Sequence, residues 1–522
     1  MSNGRQGVSP YVIAMVVMLT TFMEVLDTSV ANVALPHIAG SLSATLDEST
    51  WVLTSYLVAN AVVLPMSGWF SSLLGRKRFY LTCVLVFTVS SFLCAVAPTL
   101  GWLIFFRILQ GLGGGGLQPT SQSILMESFP PEKRGQAMAM YGIGVVFAPV
   151  IGPVLGGWLT DNFSWHWIFL INIPVGALSM VLSSAILVDP PYLKRLSFKD
   201  SRQIDFLGFG LVALGLASLE IVMDEGQRND WFASPFIVTF AILAVVGLAA
   251  MVIWELHHEH PVVDLSLLRN RTFASSCFML FALGFVLYGS TFLIPVFLQT
   301  MLGFDATTSG LVMTPGGIVI LFSMPVVGYL VHKVDTRIMV VYGLSMTGLG
   351  LLLMSRFNLQ IGYWDAATAR IVQCFGLASL FIPINVIAYA TLTKEMANRA
   401  AGLMNLFRNI GGSVGIAILS TLLARRAQFH QNILAGHLAA TSQEAQAFVA
   451  GAARTLAGGG QSGPDAAHHA LGLLWGQTLR QSSYLAMLDV FFLVSCICFA
   501  VIPIILIMRK PHEHSDEPVD VH

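Results

Sequence analysis

Arg107-Ile-Leu-Gln-Gly-Leu-Gly113 lies inside an apolar stretch, and 263 residues further on the chain repeats it as Arg370-Ile-Val-Gln-Cys-Phe-Gly376. Two more segments recur in the same order at nearly the same spacing. Gly68-Trp-Phe-Ser-Ser-Leu-Leu-Gly75-Arg76-Lys77 is echoed by Gly328-Tyr-Leu-Val-His-Lys-Val-Asp335-Thr-Arg337, and Gly152-Pro-Val-Leu-Gly-Gly157 is roughly matched by Gly411-Gly-Ser-Val-Gly415. One such match is chance. Three in register argue for two duplicated halves, and parallel repeats with a site at their interface are a membrane-transport architecture.

Composition agrees. Of 522 residues, 55% are hydrophobic and 11% charged, against about 25% charged in soluble chains. Too little polar surface exists to cover a soluble globule, so a cytosolic enzyme, a disordered chain and a secreted disulfide scaffold are excluded. The net charge of −1 directs no basic field at nucleic acid. Cys83, Cys94, Cys277, Cys374, Cys496 and Cys498 sit in apolar runs and read as small fillers. After Arg5, an apolar run of about 25 residues is too long for a cleaved signal and reads as a first span.

Fourteen stretches are long and apolar enough to cross a bilayer. The expected fold is an all-α polytopic membrane protein: two six-helix bundles, spans 1–6 and 9–14, with spans 7 and 8 inserted between them. The corresponding domains are an N-terminal bundle over 1–190, the inserted pair and its linkers over 191–265, and a C-terminal bundle over 266–522. With a cytoplasmic N-terminus, 18 of the 27 lysines and arginines fall on cytoplasmic segments, including Arg76-Lys77-Arg78, Lys194, Arg195, Lys199, Arg202, Lys394, Arg509 and Lys510. Both termini are therefore expected inside, although Arg425 and Arg426 oppose the rule. The segment 425–483 is the one long outer piece. It is rich in Ala, Gln, Gly and His and broken at Gly458–Gly460. It reads as a solvated loop whose first part can continue span thirteen as helix, or as a docking surface for a partner outside the membrane.

Charges within the spans carry the mechanistic information, because each costs at least roughly 2.5–3.5 kcal/mol at the bilayer centre. They are Glu24, Asp27, Arg107, Glu220, Arg370, Arg408 and Asp489. Glu24 and Asp27 are spaced i, i+3 and share a helix face. Two carboxylates so close in a low-dielectric cavity do not both ionise easily, so one can load and release a proton as access alternates. The blander alternatives are a local hydrogen bond from Asp27 to Asn32 or Thr28, and a cavity-lining, water-facing Glu24. Arg107 is either a fixed charge tuning a nearby carboxylate or a structural ion pair. Arg370 reads as structural, Arg408 as a cavity residue, Asp489 as an interfacial pair, and Glu220 as snorkelling to water. Asn32, Tyr56, Gln110, Gln118 and Asn405 are further candidates for the lining of a substrate cavity with Arg408.

Span five carries Gly144, Ala148, Gly152 and Gly156 every four residues, a smooth ridge for close helix contact. Pro149 and Pro153 remove backbone donors and permit bending. A tightly packed, bent helix between the halves can rock as a unit.

Together these motifs resemble the major facilitator superfamily, specifically its fourteen-span drug:proton antiporter branch, the EmrB/QacA type. The marks are Leu26-Asp27-Thr-Ser-Val-Ala-Asn32-Val-Ala-Leu-Pro36, Trp51-Val-Leu-Thr-Ser-Tyr56, the Gly68, Gly75, Arg76, Lys77 loop, Arg107-xx-Gln110-Gly111, the Gly144 to Gly157 pattern of span five, and Trp254-Glu255…Pro261-Val-Val-Asp264 before span nine. The resemblance implies multidrug efflux from a bacterial inner membrane, driven by the proton gradient with no cofactor. It implies amphipathic substrates, and as partners the membrane lipid, a periplasmic adaptor and an outer-membrane channel. One departure is Ser72, where the family's loop between spans two and three usually has an acid; a charge-paired latch built on that acid is not expected. Another is the additional Glu24.

Gly111-Leu-Gly113-Gly-Gly-Gly116 satisfies a dinucleotide fingerprint but lies in an apolar helix with no preceding strand. His257, His258 and His260 read as a juxtamembrane linker rather than a metal site. No GK[ST] occurs, so no ATP-driven step is expected within the chain. Other readings are a narrow exporter of one metabolite or siderophore, or a membrane-embedded sensor or enzyme. An enzyme would want convergent nucleophile and base residues at one membrane face, and a sensor would want a sizeable output domain; neither is found.

Overall fold

The structure is a computed structural model describing residues 9–189, 205–258, 261–390, 392–393, 396–438, 442–458 and 463–507. Arg5, Lys194, Arg195, Lys199, Arg202, His260, Lys394, Arg509 and Lys510 lie outside the described residues. Fourteen helices among the described residues have membrane-spanning length and composition. They are α1 (Pro10–Ser41), α2 (Glu48–Leu74), α3 (Arg76–Ala95), α4 (Leu100–Ser128), α5 (Pro131–Asn162), α6 (Trp167–Ile186) and α7 (Phe206–Glu225). The rest are α8 (Pro235–His257), α9 (Arg271–Thr300), α10 (Thr307–Leu330), α11 (Thr336–Met354), α12 (Tyr363–Ala390), α13 (Ala397–Gly436) and α14 (Pro464–Pro503).

Short local signals set the helix ends. Pro10 stands in the first turn of α1, and a reciprocal Thr45/Glu48 capping box starts α2. Gly75, at φ 86°, breaks the chain between α2 and α3 in a backbone conformation that favours glycine. Asn270 accepts from the Thr272 and Phe273 amides to open α9.

The helices form two six-helix bundles and an inserted pair. Sequence-related glycines close tight contacts in both bundles. In the first, Gly152 and Gly156 of α5 lie against Ser29 and Val30 of α1. In the second, Gly411 and Gly415 of α13 lie against the Phe281 and Phe285 carbonyls of α9. The glycine ridge of α5 thus faces its own bundle. Glycines of α10 contribute to the contact between the bundles: Gly310 lies on Val154 and Gly317 on Val150 and Phe147.

At the end bearing the two repeated loops, Gly68 packs on Arg399 and Gly328 on Gly135. Asn398 donates to the Ser67 carbonyl (3.2 Å) and the Ser71 hydroxyl (2.8 Å). Ser72 turns back to the Gly68 carbonyl, 3.0 Å away. Arg76 finds its carboxylate on α4 instead, at Glu127 (2.5 Å), while Lys77 reaches the Ser184 carbonyl (2.7 Å).

The inserted helices α7 and α8 press together at Gly215 and Gly247, and Val245, Val246 and Ile253 of α8 are exposed. The other side of α7 bridges the two bundles. Asp224 and Glu225 accept from Thr54, and Glu225 from Thr50 at 3.3 Å, both on α2. Glu220 accepts from Ser413 of α13 at 2.6 Å. Glu220 is buried, so it does not snorkel to water as its place near the end of the span had suggested. Packing of α7 against α13 closes that route and a hydroxyl takes the place of water.

The segment 425–483 is mostly helical rather than a solvated loop. The helix containing α13 runs to His437, a separate helix spans Gln443–Gly458, and the helix containing α14 begins at Gly463. Alanine and glutamine favour helix in this stretch, and neighbouring helices supply the packing that an isolated segment lacks. Asp489 pairs with His430 (2.8 Å) and Arg426 (3.5 Å), joining the two long helices as an interfacial pair. Arg480 donates to the Met301 carbonyl at 2.7 Å.

Candidate functional site

Two buried polar networks hang from one face of α1. Asp27, 2% exposed, accepts from Arg107 (2.5 Å), Gln110 Nε2 (2.9 Å) and Asn172 Nδ2 (2.6 Å). Arg107 also donates through Nε to the Val52 carbonyl (2.9 Å) and through a terminal nitrogen to Gln110 Oε1 (2.8 Å). Thr28 bonds its own helix at Val25, and Asn32 is exposed beyond this network. The local hydrogen bond considered for Asp27 is thus replaced by contacts to α4 and α6.

Glu24, also 2% exposed, makes no ion pair with an arginine among the described residues, although Arg408 lies close enough to act on its charge. It accepts from Tyr56 (3.0 Å), Asn60 (3.1 Å) and Gln118 (2.5 Å). It is buried rather than water-facing. Gln118 in turn accepts from Arg408 of the second bundle. The charge on Glu24 therefore reaches the other half of the molecule through a single amide.

Tyr56 joins the networks. Its hydroxyl donates to Glu24, and its ring lies 4.3 Å from the Arg107 guanidinium carbon. The glycine run of α4 makes room for it. A Cβ at Gly114 would stand 2.6 Å from the Tyr56 hydroxyl, and one at Gly111 would strike the Tyr56 backbone. Glycines that mimic a nucleotide fingerprint therefore serve helix packing.

A second line of amides crosses between the bundles. Gln122 donates to Asn385 (2.6 Å), Asn405 donates to Gln122 (2.7 Å), and Tyr141 donates to Asn405 (3.2 Å). Asn60, Gln122, Tyr141, Asn172 and Asn385 are uncharged and were not singled out from the sequence. An amide in an otherwise apolar span is the signal that could have found them. Arg370, the repeat partner of Arg107, is fully buried and bonds Gln373 at 2.6 Å, as Arg107 bonds Gln110.

Span five has two local departures from regular helix. Pro153 has no amide to give the Pro149 carbonyl, and the Ser29 hydroxyl of α1 supplies the missing donor at 3.2 Å. Ahead of Pro149, the helix widens into a π turn over Ile143–Phe147.

At the inserted pair, His258 lies 3.5 Å from Asp205, and Trp254 donates to the same carboxylate at 2.8 Å. Asp264 pairs with Arg399 at 3.2 Å.

A polytopic helical protein of two related bundles, with acids and arginines buried inside them and a polar link from Glu24 through Gln118 to Arg408 between them, is built as a secondary transporter. Residues 17–416 match the Major Facilitator Superfamily, and the chain belongs to that family. The chain is 35% identical over 445 residues to the multidrug export protein EmrB of Escherichia coli K12, covering 85% of this chain and 86% of the relative. It is 38% identical over 449 residues to EmrB of Haemophilus influenzae, covering 85% and 86%. It is 35% identical over 502 residues to the fatty acid resistance protein FarB of Neisseria gonorrhoeae, covering 95% of each. The human organic anion transporter MFSD10 (TETRAN) shares the fold with a TM-score of 0.58 at 13% identity, over 94% of this chain and 100% of that one.

Proposed function

We propose that this chain is a proton-coupled exporter of amphipathic drugs and toxic compounds that works by alternating access. The observation that carries this reading is the pair of buried carboxylates one helical turn apart. Asp27 is paired to Arg107, and Glu24 is wired through Gln118 to Arg408 of the opposite half. Protonating Asp27 would dissolve its pair and free the Arg107 guanidinium. Protonating Glu24 would weaken the link between the bundles. Either event ties proton occupancy to how the halves meet.

In this mechanism the bundles over 1–190 and 266–522 rock about the buried layer, and the segment 191–265 straps them through α7. Tyr56, Gln110, Gln118, Asn405 and Arg408 line the path that opens when the layer parts, with Asn32 at its outer end. Gly144, Pro149, Gly152, Pro153, Gly156 and Gly157 hold α5 against α1 so that the two helices move as one. Gly68, Gly75, Arg76 and Lys77 build the cytoplasmic closure.

The driving force is adequate. A potential of about 100 mV supplies roughly 2.3 kcal/mol per inward charge, and a pH step of about one unit adds roughly 1.4 kcal/mol. One proton therefore sustains a gradient of roughly several-hundred-fold for a neutral substrate.

The setting is the cytoplasmic membrane of a bacterium, with both termini inside. The helical segment 425–483 offers a surface for a periplasmic adaptor leading to an outer-membrane channel, the partners that the family resemblance implies. The test is a toxicity panel in an efflux-deficient strain. Resistance to several chemically unrelated amphipathic compounds is expected. Protection against one metabolite alone would favour a narrow exporter, and no protection would count against export.

A further inference from the structure

The two halves treat the same buried arginine differently. In the first, the carboxylate of Asp27 accepts from both Arg107 and Gln110 Nε2. In the second, Arg370 and Gln373 repeat that donor pair 263 residues on, and the same step carries Asp27 to Ser290. Ser290 and Thr291 lie 3.4 Å from the terminal nitrogens of Arg370, at the long end of hydrogen bonding. Both hydroxyls donate to the Leu287 carbonyl, so only their lone pairs face the guanidinium. Arg370 is fully buried, and among the described residues no carboxylate pairs with it. Its Nε and the Nε2 of Gln373 are buried without a hydrogen-bond partner.

An uncompensated buried guanidinium is costly, and unpaired buried donors add to that cost. The place that Asp27 fills in one half is thus bordered in the other by donors and one short hydroxyl. We propose that the second half binds a monovalent anion between Arg370, Gln373 and Ser290, in the position of the missing carboxylate. Its chemistry is a single negatively charged acceptor: a chloride ion, or the carboxylate of an amphipathic acid. The unpaired Nε of Arg370 and Nε2 of Gln373 are the donors such an acceptor would satisfy. The site is separate from the Glu24 and Asp27 networks, so it stands or falls independently of proton coupling.

The experiment uses the purified full-length chain in lipid nanodiscs. Melting temperature is followed against chloride, and separately against octanoate, with isethionate holding ionic strength and pH constant. Wild type should show a saturable rise on the order of a few degrees at about 100-fold above Kd. A response to chloride alone identifies a resident halide, and one to octanoate alone a site for the acid group of a substrate; both support the proposal. Ser290→Asp, which supplies the carboxylate internally, should melt higher and respond to neither. Ser290→Asn, which fills the same space without the charge, should also lose the response but without the gain in melting temperature, and Gln373→Met should weaken the response about tenfold. A wild type that responds to neither anion, or a Ser290→Asp variant that responds as wild type does, would overturn the proposal. The wild-type titration decides the matter even if a variant fails to fold.

Discussion

Tyr56 donates its hydroxyl to Glu24 over 3.0 Å. Because its ring also lies against Arg107, one side chain touches both carboxylate networks. Tyr56→Phe keeps the ring and removes the donor. Losing one hydrogen bond to a buried charged group costs about 1–3 kcal/mol, so export should slow about tenfold while membrane insertion is unchanged. Tyr56→Ala should do more damage, since it also uncovers Arg107. Initial efflux rates in everted vesicles measure both variants.

Gly114 exists for that hydroxyl. A methyl group there would sit 2.6 Å from the Tyr56 oxygen and 3.1 Å from Asn60 Nδ2. Gly114→Ala is expected to cost about 1–3 kcal/mol by overpacking. The cost should shrink in a Tyr56→Phe background, where the oxygen is gone. A double-mutant cycle on thermal stability reads the coupling, and strict additivity would show that the two residues do not compete for space.

The Ser29 hydroxyl of α1 serves the Pro149 carbonyl of α5 that Pro153 cannot. Ser29→Ala leaves the Pro149 carbonyl without its donor and should destabilise by about 1 kcal/mol. In a Pro153→Ala background the helix regains its own amide, and the same substitution should cost almost nothing. Melting of the four proteins tests this, and an equal cost in both backgrounds would show that Ser29 does not serve that carbonyl.

The outer helices predict a separation of transport from resistance. Replacing about 435–475 by a short flexible linker removes the Gln443–Gly458 helix and the first turns of the helix that follows it. Transport in everted vesicles should survive, and resistance in a cell with two membranes should be lost. Resistance retained in such a cell would argue against an adaptor seated there.

Much of this arrangement was legible in the sequence, for reasons that differ by residue. Span lengths follow from apolar runs, and stretches that contain or adjoin charges still emerge as helices at Phe206–Glu225 and Tyr363–Ala390. Asp27 and Arg107 stood out because charge is expensive in an apolar span. Their mutual pairing depends on how α1 meets α4, and spacing along one helix cannot reveal it. Gln122 and Asn385 are uncharged and bond each other across the interface, so their role emerged with the packing, whereas Gln118 was already a candidate from the sequence. Glu220 misled because a position near a helix end permits snorkelling, and only the neighbouring α13 forbids it. The segment 425–483 misled because its polar, alanine-rich composition suits both loop and helix, and tertiary contacts chose helix.

The measurement that bears most directly on the coupling role proposed for α1 is substrate-dependent proton uptake in proteoliposomes under an imposed pH gradient. It compares wild type, Asp27→Asn and Glu24→Gln, with substrate binding measured alongside. Wild type should take up protons only when substrate is exported. Asp27→Asn should bind substrate and lose gradient-driven exchange, and Glu24→Gln should lose or sharply reduce it. Export and proton flux at wild-type levels in both variants would contradict the assignment of coupling to these two carboxylates.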